Sequence, residues 1–73
     1  MWIKVTTTDN QNHLINVNEI MDLTYTKDTN LTIITYARSA YPSSYVRGNI
    51  IPEITKHLSA NDVVATIQVK DGK

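Results

Sequence analysis

The stretch His13-Leu-Ile-Asn-Val-Asn-Glu-Ile-Met-Asp-Leu-Thr-Tyr-Thr26, then Lys27-Asp-Thr-Asn30, then Leu31-Thr-Ile-Ile-Thr-Tyr36 decides how this chain is read. Two apolar, β-branched runs flank four turn-forming residues, the pattern of a β-hairpin. Met21, Leu23 and Tyr25 alternate with Asp22, Thr24 and Thr26. Leu31 to Tyr36 is apolar on both alternating faces, which predicts a central strand covered from both sides. Asn18 is placed to cap a single helical turn between Val17 and Ile20, letting Ile20 tuck under the sheet.

Outward from this ribbon, Ile3 and Val5 alternate with Trp2, Lys4 and Thr6 as a half-buried strand. A polar turn, Asp9 to Asn12, joins it to His13–Val17 in a first hairpin. Beyond Tyr36, Pro42 excludes helix at Tyr41, so Ala37 to Ser44 reads as an irregular loop before a short strand, Tyr45 to Arg47. One helix is expected from Pro52 at its first position, with Ile51 extended, to a left-handed stop at Asn61. Ile51, Ile54 and Leu58 form its apolar stripe. Val63 to Lys70 then alternates as a last strand, leaving residues 71–73 as a frayed tail. The expectation is a single α+β domain: one small antiparallel sheet of four to five strands with a short helix before the last strand. A small SH3-like barrel is the alternative.

Composition narrows the function classes. The chain has 73 residues, no cysteine, and seven basic against seven acidic residues. A domain this small has a marginal core and usually needs a disulfide, a metal or self-association. Absent cysteine removes disulfides and thiolate metal sites, so a homo-oligomer is expected. Zero net charge offers no long-range pull on nucleic acid or anionic membrane. With no long apolar run and no leader pattern, the default location is cytoplasmic.

The spacing of Ile3-Lys4-Val5, Leu14 to Ile20, Thr29 to Thr35 and Ile54 to Leu58 resembles the small FlbD-like proteins of bacterial flagellar operons. Two departures are the Ala37 to Ser44 loop in place of a tight glycine hairpin, and the extra final strand. The layout is also similar to the β-rich half of LytTR-type DNA-binding domains, without their basic segment after Leu58. Neither resemblance supplies functional residues.

The candidate site lies between Thr29 and Pro52, an interval with no acidic residue. Tyr36, Arg38, Tyr41, Tyr45 and Arg47 are the binding candidates, because guanidinium offers a fixed fork of donors and tyrosine a large area at low entropic cost. Ser39, Ser43 and Ser44 add adaptable hydrogen bonds. The plainer reading places these tyrosines at a sheet rim with the hydroxyl in water. Trp2 shares a face with Lys4 and Thr6, so either the helix covers it or it forms an interface.

Neither His13 nor His57 has partners at metal-ligand spacing. A serine with His57 and Asp62 forms no nucleophile motif. No cofactor and no catalysis are therefore expected. The reading is a non-catalytic, self-associating protein-interaction module, of the kind a bacterium or phage would use as an accessory or inhibitor protein. The alternative is a nucleic-acid-binding or regulatory module using the arginines and tyrosines.

Overall fold

The computed structural model describes residues 1–38 and 43–67. In order these are β1 (Trp2–Thr6), β2 (Asn12–Asn16), a 3-10 turn (Val17–Glu19), β3 (Ile20–Thr26), β4 (Leu31–Tyr36), β5 (Ser43–Arg47), α1 (Ile51–Ser59) and β6 (Val64–Thr66). Tyr41 and the end of the expected last strand, Gln68 to Lys70, lie outside the described residues.

The strands form two three-stranded sheets, ordered β2-β1-β6 and β3-β4-β5, rather than one sheet of four to five strands. β6 runs parallel to β1, with Ile3 opposite Ala65, so the first sheet is mixed and not antiparallel throughout. Helix α1 carries the chain from the second sheet back to the first, where β6 pairs with β1, the strand most distant from it in sequence. Among the described residues no closed barrel forms. One backbone bond links the turn after β1 to the second sheet, Thr8 N–H donating to Tyr45 C=O at 2.9 Å, and Ala37 N–H donates to Glu19 C=O at 2.9 Å, extending the β3–β4 ladder into the turn between the sheets.

The turn residues explain where strands end. Among the described residues, the three non-glycine residues at positive φ are all asparagines, Asn10, Asn30 and Asn61. Asparagine tolerates that region because its short amide bonds locally. Asn30 is further held by the Tyr25 hydroxyl, 2.7 Å from its Oδ1. The break between the sheets is capped by Asn16, not Asn18: Asn16 Oδ1 accepts the Asn18 N–H at 3.0 Å. Ile20 turns inward as expected and packs half-buried on the core.

The two sheets and α1 enclose one core: Ile3, Val5 and Ile15 from the first sheet, Ile34 and Val46 from the second, Ile50 and Ile54 from the helical segment, with Ala65 and Ile67. β4 is central, but only its Thr32–Ile34 side is buried; Leu31, Ile33 and Thr35 on the other side are half-exposed. The β3 register slips by one residue between Ile20 and Asp22, and this bulge turns Met21 outward, away from Leu23 and Tyr25.

Helix α1 starts one residue earlier than expected. Ile50 is the N-cap in a near-helical conformation, so Ile51 is helical and Pro52 is second. Proline is tolerated there because that N–H has no intrahelical acceptor anyway. Ile54 is the helix's buried residue, while Leu58, expected on the same stripe, is mostly exposed.

In the β1–β2 turn the Thr7 hydroxyl donates to the Asp9 carboxylate. That hydrogen bond, chiefly, holds the Asp9 carboxyl below the usual aspartate range. A depressed folded-state pKa contributes stability above the unfolded value and loses it as pH falls through the folded one. Asp9→Asn should therefore flatten the loss of stability seen in urea titrations below about pH 4. An unchanged acid slope would show that the turn does not favour the ionised form.

Candidate functional site

The strand alternation assigns each candidate to a side. In β5, Val46 is buried in the core, so Ser44 shares its side and Tyr45 and Arg47 take the outer face. There they lie opposite Ile33 and Leu31 of β4. Tyr36 ends β4 on the inner side, with its hydroxyl 2.7 Å from Ser44 Oγ. The Tyr36 ring is half-buried, but its hydroxyl is tied to Ser44 instead of standing in water as the plainer reading had it.

An open groove of about 580 Å³ lies between the first sheet and the end of the second. It is lined by Gln11 and the β2 run His13 to Asn16, by Trp2 of β1, and by Glu19, Tyr36, Arg38 and Ser44. The structure thus brings Trp2, Tyr36 and Arg38 together and leaves Tyr45 and Arg47 on the outer face of the second sheet. Tyr41 falls outside the described residues.

Helix α1 does not cover Trp2. The helix packs on the core side through Ile54, whereas Trp2 is on the outward face of β1 and 41% exposed. Its neighbours on that face are Val64, directly across on β6, and Leu14, diagonal to it on β2. These two are 59% and 60% exposed. The β2 residues were read from the sequence only as strand, and their part in the groove was missed. The signal was present: Leu14 falls on the polar side of an alternating strand.

The sequence reading weighed His57 beside Asp62 only as part of a hydrolase set, whereas the structure pairs the two at the end of the helix. The His57 Nδ1 is 2.6 Å from Asp62 Oδ2, and its Nε2 is 3.9 Å from Glu53, one helical turn back. Together with the Asp62 N–H donating to His57 C=O at 3.1 Å, the pair locks the helix end onto the turn before β6. Among the described residues no group of three acidic, histidine or cysteine side chains is arranged to hold a metal. Among them, too, no helix is long and apolar enough to cross a membrane. Comparison with family models, curated proteins and solved structures finds no match to this chain.

Proposed function

We propose that this chain is a small non-catalytic protein-interaction module that self-associates through its first sheet, a cytoplasmic accessory or inhibitor protein in a bacterium or phage. The supporting observation is the exposed apolar set on one face of the first sheet, Trp2 and Leu14, which line the groove, and Val64 across from Trp2 on β6. A domain with so small a core leaves three sizeable apolar side chains together in water, and such a patch marks a contact surface. Zero formal net charge adds no long-range repulsion between copies. Tyr36 and Arg38 lend the groove residue types that anchor protein contacts.

Arg38 beside two aromatic rings also favours the nucleic-acid reading, since both stack on bases. Glu19 in the same groove and the separation of Arg47 from Arg38 weigh against it. Sedimentation equilibrium decides between them. The expected result is a reversible oligomer at tens of micromolar, weakened about tenfold or more by Trp2→Ser, as for an interface aromatic. A monomer at every concentration up to about 1 mM, a weak limit for specific association, overturns the proposal. A gel shift with oligonucleotides at low salt would support the alternative.

A further inference from the structure

From the unpaired side of β2 we infer that a second copy of this chain adds to it, strand to strand, about a two-fold axis through Leu14. This deepens, and rests on, the self-association proposed above. The hydrogen-bond phase of β2 comes first. Val17 N–H donates to Met1 C=O and Thr7 N–H donates to Gln11 C=O, each at 2.9 Å. With Ile3 opposite Ile15 in the same register, the odd-numbered residues of β2 face β1. β1 uses its even-numbered groups on the other side, Trp2 N–H to Val63 C=O and Lys4 C=O from Ile67 N–H. The N–H groups of Asn12, Leu14 and Asn16 therefore point away from β1 along the groove. Among the described residues they have no backbone partner.

The other sheet margins are blunted in ways that natural proteins use against edge pairing. β3 carries Asp22 and the bulge at Met21. β5 carries Arg47, and its Tyr45 carbonyl is taken by Thr8. β6 has three residues in strand conformation. β2 has no formal charge, no proline and no register shift.

Its sequence also identifies the occupant. Asn12 and Asn16 flank Leu14 symmetrically, so an antiparallel copy centred on Leu14 sets asparagine against asparagine, with His13 opposite the partner's Ile15. Leu14 meets the partner's Leu14 in a doubly hydrogen-bonded pair, and each Asn16 N–H meets the partner's Asn12 carbonyl. The groove wall contains one carboxylate, Glu19, and one guanidinium, Arg38, so the incoming copy presents balanced rather than repelling charge. The product is a continuous six-stranded sheet, with both Trp2–Leu14 patches on one face.

Absent cysteine makes the test clean. Leu14→Cys and Val64→Cys are each oxidised with glutathione disulfide and run on non-reducing gels beside sedimentation of the parent chain. In the paired register the two Cα atoms at position 14 are about 5.5 Å apart, within disulfide range. Those at position 64 are five strand spacings apart, about 24 Å. Covalent dimer from the Leu14 variant alone is the expected result. Covalent dimer from the Val64 variant instead, or from neither, with a dimeric parent, overturns the edge register while self-association stands. A monomeric parent overturns both. Leu14→Lys should raise the dimer dissociation constant about tenfold or more with the circular dichroism unchanged, by the edge-lysine device; an undiminished dimer overturns the pairing.

Discussion

Replacing Ile54 by alanine is expected to lower the unfolding free energy by about 2–4 kcal/mol, the range for truncating a buried isoleucine. Ile54 is the buried residue of α1, 1% exposed, and it meets the core contributed by both sheets. A helix of nine residues is too short to persist in water without docking. Alanine is the better helix former by a few tenths of a kcal/mol, so the loss measures docking and not helix propensity. A chain of this length has about 4–11 kcal/mol in total at the usual stability per residue. The substitution should therefore remove a large share. Urea denaturation followed by circular dichroism gives the number, with the exposed Thr55→Ala as a control. A change under about 1 kcal/mol would mean that the helix does not close the core.

Thr32→Val is expected to cost about 2–4 kcal/mol although it preserves shape, because it strands two buried backbone groups. Thr32 is fully buried, the second residue of β4. Its Oγ1 donates to Gly48 C=O at 2.6 Å and accepts the Ile50 N–H at 3.1 Å. This one hydroxyl fastens the second sheet to the segment entering α1. Gly48 is held there at φ 87°, a backbone state open to glycine at little cost, and its N–H donates to Asn30 C=O at 2.7 Å. Thr32→Ser keeps the hydroxyl and should cost about 1 kcal/mol, the value of one methyl group. Hydrogen exchange at the Ile50 amide separates the two, with fast exchange in the valine variant alone. Equal losses in both variants would assign the effect to packing and remove the clamp.

The β3–β4 hairpin, the turn asparagines, the helix and its stop at Asn61 were all legible because each depends on neighbours within a few residues. The division at Asn16–Glu19 was visible as an interruption, yet whether it bends one sheet or separates two was not. Thr32 reads in the sequence as an ordinary polar residue between apolar ones; only the arrival of Gly48 and Ile50 beside it makes its hydroxyl structural. The candidate site was legible in part. Trp2, Tyr36 and Arg38 meet at the groove, but Tyr45 and Arg47 are turned away by the alternation of β5, and the β2 edge was not anticipated.

By itself the sequence determined the period of each strand, the positions of the turns and the one short helix, since these follow from φ preference and from which side chains share a local face. The tertiary structure alone decided that β6 lies parallel to β1, that the sheets are two, and that the N–H groups of Asn12, Leu14 and Asn16 have no backbone partner among the described residues. Those outcomes depend on which distant backbone groups find each other. Every backbone amide has the same donor and acceptor, so the pairing is settled by how the apolar faces close around Ile3, Ile34 and Ile54.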